Sequence, residues 1–205
     1  MYLVEAIEDS REMGGNMRLF VAIEFPEEIL CELEGIQNKM RALAGYGRFV
    51  TKSNLHLTLQ FLGEVSRQEF GPIVSALHRV AKIQPAFSIR LSRVGSFGKS
   101  SPFRVIWAGV DGDIPRLTRL QKDIVTALGK VGFLQETRPY QPHITLGRDV
   151  ELSGKESLGN FSRILASASF PVKQFVLKES KIENGKLVYH SLHFFRLVIS
   201  ESSIL

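Results

Sequence analysis

Arg18-Leu19-Phe20-Val21-Ala22-Ile23 and, 86 residues further on, Arg104-Val105-Ile106-Trp107-Ala108-Gly109 open two stretches built to the same plan. Each is a short apolar run suited to a buried strand, and each is followed by an amphipathic helical pattern. Each then delivers a second short strand, 38 and 39 residues after its opening arginine: His56-Leu57-Thr58-Leu59 and His143-Ile144-Thr145-Leu146. A period of this length is too long for a solenoid repeat, but it suits a duplicated lobe. The expectation is an α+β, two-lobed duplicated fold, with antiparallel sheets flanking a central cleft and helices packed on the outside.

The segments around these stretches agree with that plan. Pro26 with Glu27 and Glu28 starts a helix whose apolar positions are Ile29, Leu33, Ile36, Met40 and Leu43. Ser66-Arg67-Gln68-Glu69 is a capping box opening a second helix, with Phe70, Ile73, Val74, Leu77 and Ala81 on one face. Asp113 and Pro115 start a third, carrying Leu117, Leu120, Ile124, Leu128 and Val131 up to Gly132. Residues Phe87 to Val94 alternate as a strand, and a loop is expected from Gly95 to Pro102. Ser157 to Leu165 reads as a weak helix. Val172 to Lys181 and Leu187 to Val198 read as two strands joined at Asn184-Gly185, a hairpin signal. Residues 1–16, with Glu5, Glu8, Asp9 and Glu12 before Gly14-Gly15, form an N-terminal extension. Residues 17–205 form a single bilobal domain.

Composition excludes several classes. The 205 residues carry 26 Lys and Arg against 21 Asp and Glu, a net charge of +5 that permits a polyanionic partner without requiring one. The longest run free of acidic and basic residues, Ser53 to Gly63, has eleven members, whereas a membrane span needs about twenty. Cys31 is the single cysteine, so neither an internal disulfide nor a Cys-rich zinc site is available. No basic start followed by an apolar run marks a secretory signal. The expectation is a cytoplasmic monomer with no obligate protein partner and no membrane contact.

The chemistry lies in the two His-x-Thr pairs. Alternation along a strand points His56 and Thr58 one way and Leu57, Leu59 and Phe61 the other. His143 and Thr145 likewise share a face, with Ile144 and Leu146 turned to the core. An imidazole titrates near neutral pH, so one can accept a proton while the other donates one. A hydroxyl two residues along can donate to an oxyanion. Two such pairs facing each other suit a phosphodiester, with attack on one side and leaving-group protonation on the other; no metal or cofactor is called for. Gln60 shares the face of His56 and Thr58 by alternation and is placed to read a sugar or base. Phe97, Trp107 and Tyr140 are candidates to stack a terminal base. His78, His190 and His193 lack a partner threonine and read as structural.

The chain resembles the two-histidine phosphoesterase superfamily, and within it the RNA 2′,3′-cyclic phosphodiesterases also described as 2′-5′ RNA ligases. The resemblance covers Met17 to the C-terminus. It rests on the two opening stretches, on Asn54 to Gly63 and on Pro142 to Arg148, with both His-x-Thr-x motifs intact. It implies hydrolysis of an RNA 2′,3′-cyclic phosphate to a 2′-phosphomonoester, and 2′-5′ ligation when a 5′-hydroxyl replaces water. It also implies that His56 protonates the 3′ oxygen, that His143 activates water, and that Thr58 and Thr145 hold phosphate oxygens. Arg148 matches a basic residue following the second motif. Strict alternation would turn it away from His143, so a bend at Gly147 is needed to bring it in. Three other readings compete: a zinc site, which lacks a third ligand near either motif; a non-catalytic RNA-end binder; and a sister phosphoesterase acting on a small cyclic nucleotide.

Overall fold

The structure is a computed structural model, and it describes residues 15–98, 101–133, 139–152, 158–165 and 168–199. Nine strands and four helices are found among them. In chain order these are β1 (Met17–Ile23), α1 (Glu27–Leu43), β2 (Ala44–Phe49), a 3-10 turn (Lys52–Asn54), β3 (Leu57–Val65), α2 (Arg67–Ala81), β4 (Phe87–Phe97) and β5 (Phe103–Gly112). There follow α3 (Ile114–Gly129), β6 (His143–Leu152), α4 (Leu158–Ser162), β7 (Ser169–Val172), β8 (Gln174–Glu183) and β9 (Lys186–Arg196).

The helices begin where their local chemistry dictates. Glu69 accepts from the Ser66 backbone N–H at 2.8 Å at the start of α2. Asp113 accepts from the Arg116 N–H at 3.1 Å at the start of α3. These contacts satisfy amides that have no partner within the helix. The expected helix at Ser157 to Leu165 is present as α4; Ser157 itself lies outside the described residues, as do residues 1–14 of the extension.

The strands form two antiparallel sheets, ordered β3-β1-β8-β9 and β2-β6-β5-β4-β7. The motif strands pair as the duplication requires, β3 with β1 and β6 with β5. Both sheets are nevertheless completed from the other half of the chain. The hairpin β8–β9 extends the first, while β2 and β4 extend the second. One apolar cluster runs from Leu19, Val21 and Ile23 through the stripes of α1, α2 and α3 to Ile144 and Leu146. The helices and this core lie behind the sheets, and β3 meets β6 where the sheets adjoin.

Three features differ from the sequence-based expectation. Strand β2 has two glycines and no clean alternation, so nothing in its pattern announces a strand; its place beside β6 forms it. Strand β7 contains Pro171 and is tolerated at the sheet edge, where a missing N–H goes unused. The expected loop at Gly95 is strand, because Gly95 pairs with Trp107 and Phe97 with Val105. A Cβ at Gly95 would lie 2.4 Å from the Trp107 ring, so glycine is what lets this strand carry the indole on its face.

Candidate active site

Each motif strand carries a one-residue slip just past its threonine. Ala22 pairs with Thr58 but Val21 with Gln60, leaving Leu59 over. Trp107 pairs with Thr145 but Ile106 with Gly147, leaving Leu146 over. The two extra residues occupy the same place in the two motifs, so the duplication extends to the bulge. A bulge resets the alternation of everything beyond it. Because cross-strand partners share a face, Arg148 (opposite Val105) rejoins the face of Trp107, Thr145 and His143. The bend expected near Gly147 is therefore present. Phe61, opposite Phe20, rejoins the face of Thr58 and is 68% exposed.

The same slip overturns two expectations. Phe61 does not face the core, and Gln60 does not share the face of His56. Gln60 lies opposite Val21, a main-core residue, and is buried.

Both bulges are held by glutamines from the other half of the chain. The Gln37 side-chain amide, wholly buried on α1, donates to the carbonyls of Leu146 at 2.7 Å and Val50 at 2.8 Å. Gln121 on α3 donates to the Leu59 carbonyl at 3.4 Å. Replacing Gln37 with Met leaves two carbonyls short of this donor. The expected loss is about 1–2 kcal/mol, read by denaturant unfolding, since the Leu146 carbonyl still accepts from the Val50 N–H and the change also removes the unpaired, buried Gln37 Oε1. Unchanged stability would mean that the bulge stands without it.

The two imidazoles are oriented alike. Nδ1 of His56 is 2.7 Å from the Asn54 carbonyl, and Nδ1 of His143 is 2.7 Å from that of Gln141. A carbonyl only accepts, so each Nδ1 carries a proton and each neutral ring leaves Nε2 as its free base. Thr58 Oγ1 lies 3.0 Å from His56 Nε2. His56 packs between Phe20 (ring centroids 4.9 Å apart) and the edge of Tyr189 (5.2 Å). Phe97 meets His143 edge-on at 5.0 Å and Trp107 at 5.6 Å.

Burial pushes the His56 pKa down to about 4, with smaller contributions in the same direction from Lys178 and from His143. The Asn54 carbonyl and Glu24 act the other way without prevailing. His143 is thus within electrostatic reach of His56. Arg148 acts on the Tyr189 hydroxyl of the opposite sheet in the same manner.

Lys178 and Glu24 carry no signal in the sequence. Lys178 is buried on β8, ion-paired to Glu24 and 2.8 Å from Ser191 Oγ, which also donates to Glu24 at 2.6 Å. Together with Asn54 and His56 they line a cavity of about 180 Å³ beside the first motif. Alternation along β9 predicts that Tyr189 and Ser191 share a face, but not that this hairpin sits beside β1.

Two expected platform residues behave differently. Tyr140 packs its ring on the main core and donates its hydroxyl to the Thr58 carbonyl at 3.0 Å, which ties the approach to β6 onto β3. Burial raises its pKa. Trp107 lies on the site face, with Nε1 buried and without a hydrogen-bond partner. The remaining histidines lie elsewhere. His190 pairs with Glu183 at 2.7 Å, while His193 and His78 meet at 2.9 Å between β9 and α2. Among the described residues no group of three or more His, Cys, Asp or Glu converges, and no helix is long and apolar enough to cross a membrane.

The arrangement is similar to known proteins over nearly its full length. A protein from Archaeoglobus fulgidus named RNA 2′,3′-cyclic phosphodiesterase is 34% identical over 182 residues, covering 87% of this chain and 99% of that one. An Escherichia coli protein of the same name is 32% identical, covering 88% and 96%. The crystal structure of E. coli LigT complexed with 3′-AMP matches with a TM-score of 0.73 at 32% identity, covering 89% of this chain and 98% of that one. The family profile described as the 2′-5′ RNA ligase superfamily matches residues 25–181. With its two His-x-Thr strands set on a shared cleft, the chain belongs to the 2′-5′ RNA ligase superfamily.

Proposed function

We propose that this protein hydrolyses RNA 2′,3′-cyclic phosphate ends to 2′-phosphomonoesters by paired imidazole catalysis. The observation that carries the proposal is the matched orientation of the histidines. Both Nδ1 atoms are tied to backbone carbonyls two residues upstream, which leaves each Nε2 for proton transfer, that of His56 beside the Thr58 hydroxyl. The names of the relatives support the same reaction.

In the proposed step His143 Nε2 takes a proton from water, and the water oxygen forms a bond to phosphorus. The bond from phosphorus to O3′ breaks, and His56 Nε2–H delivers its proton to O3′. The product is a 2′-phosphomonoester beside a free 3′-hydroxyl. Thr58, Thr145 and Arg148 hold the non-bridging oxygens. Phe97 and Trp107, on the same face as His143, flank the terminal nucleoside. A 5′-hydroxyl in place of water gives 2′-5′ ligation by the same proton transfers.

His56 works as an acid only when protonated, and burial opposes that charge in the free protein. The anionic phosphate offsets this by placing a negative charge beside the ring. A cytoplasmic monomer acting as one domain over residues 17–205 completes the reading. The apolar cluster shared by both sheets and the exposed free thiol of Cys31 support it.

A single-turnover assay tests the proposal against the binding-only alternative. In excess chelator, an oligonucleotide ending in a 2′,3′-cyclic phosphate is expected to be converted at the full rate. Tight binding without conversion would make the cleft a binding site. Loss of activity restored by zinc would place a metal in the mechanism.

A further inference from the structure

Lys178 is a charged group beside the first motif that the proposed chemistry leaves idle. Its strand β8 lies between β1 and β9, and its partners across them are Phe20 and Ser191. The side chain is buried, yet it carries an ammonium that is ion-paired to Glu24 and bonded to Ser191 Oγ at 2.8 Å. Ser191 in turn donates to Glu24 at 2.6 Å, so the three groups close on one another. Glu24 follows Ile23, whose partner across the sheet is Leu57, the residue after His56. Carboxylate and imidazole therefore leave neighbouring strands at the same level. Both line the cavity of about 180 Å³ that Lys178 also lines. A buried ion pair is often no more stabilising than apolar side chains of the same volume, so stability alone does not call for a lysine here.

The two charges act on the ring in opposite senses. After burial and the Asn54 carbonyl, Lys178 is the next influence on His56 and opposes its protonation, while Glu24 favours it. Burial raises the Glu24 carboxyl, but hydrogen bonds from Lys178 and Ser191 hold it below its usual range, and His56 adds in the same sense. The other groups about the ring are Phe20 on β1, Thr58 on β3 and Tyr189 on β9, with His143 on β6 acting electrostatically against the ring's charge. Clamped to each other and to Ser191, Lys178 and Glu24 keep fixed places beside His56.

We propose that Lys178 and Glu24 are positioning residues for the acid, a buried ion pair that sets how readily His56 takes up its proton and surrenders it to O3′. This rests on the cyclic-phosphate reading above and specifies what equips its acid. Lys178 favours the neutral ring until the phosphate anion arrives and makes the charged ring a stronger acid, whereas Glu24 keeps that charge within reach.

The test reads the alkaline limb of kcat on an oligonucleotide with a 2′,3′-cyclic end. In parallel it reads the NMR titration of the His56 ring in the complex with adenosine 2′-phosphate. Glu24→Gln removes a negative charge and is expected to move both to lower pH. Lys178→Met removes a positive charge and is expected to move both to higher pH, each shift being about half a unit or more. The double variant is expected to fall between the two. Glu24→Gln strands a buried ammonium; should it not fold, Lys178→Met against the double variant reads the carboxylate without that charge, and the double variant is expected at the lower pH. Shifts of the same sign in both single variants, or limbs and titrations that stay with the parent, overturn the inference while leaving the hydrolase intact. Absence of turnover by the parent removes the cyclic-phosphate reading, and the NMR titration then decides whether the pair acts on the ring.

Discussion

Replacing His143 with Ala is expected to lower turnover of a cyclic-phosphate end by about 10²–10⁴-fold, the usual worth of a positioned acid or base, and His56→Ala by a similar factor. The two losses differ in how they respond to the substrate. An analogue whose leaving group needs no proton should restore much of the rate to His56→Ala and none to His143→Ala. The opposite pattern would exchange the two roles and keep the mechanism. Rates within a few-fold of the parent in both variants would remove the catalytic reading.

The pH profile carries the same assignment. As an acid, His56 is active only while protonated, so activity falls as pH rises through its pKa. In the free protein that pKa is about 4, and a bound phosphate anion raises it. The alkaline limb of kcat, which reports the complex, should therefore lie at higher pH than the alkaline limb of kcat/KM. Because the two imidazoles act on each other electrostatically, these limbs belong to the pair.

Thr→Val at position 58 or 145 is expected to cost about 10²–10³-fold in kcat, the loss of one preorganised donor to a developing oxyanion. Valine keeps the volume and the β-branched preference of a strand residue, so unfolding midpoints should move little. For Thr58 a second effect adds to the first. Its hydroxyl meets His56 Nε2 at 3.0 Å, so T58V also removes a partner of the ring. T58V is therefore expected to shift the alkaline limb, whereas T145V lowers the rate without moving it. Near-normal turnover in both variants would assign the phosphate oxygens to Arg148 alone.

How much of this was legible in the sequence is clearest at the bulges. The repeat of His-x-Thr-Leu is local, and it gave the two strands, their shared core face and the paired chemistry. The slip at Leu59 and Leu146 is not local. It goes with carbonyls held by Gln37 and Gln121, each from the helix of the opposite half. Strict alternation carries no sign of such a partner, so it put Gln60 on the wrong face and gave no reason for Arg148 to be on the right one. The surroundings of His56 were hidden for a related reason. Phe20 is close in the repeat, but Tyr189, Lys178 and Ser191 arrive on the last hairpin, whose place beside β1 is a matter of topology. Strand β2 carries no strand pattern because Gly47 serves close packing against Val150 and Phe49.

The central claim is that two opposed imidazoles open a 2′,3′-cyclic phosphate at the 3′ oxygen. Phosphorus NMR of an oligonucleotide bearing that end, incubated with the protein and excess chelator, tests it most directly. The account predicts that the cyclic resonance is replaced by that of a 2′-phosphomonoester, and that the His56→Ala, His143→Ala double variant leaves it unchanged. A 3′-phosphomonoester, or an unaltered cyclic phosphate with the parent protein, would contradict it.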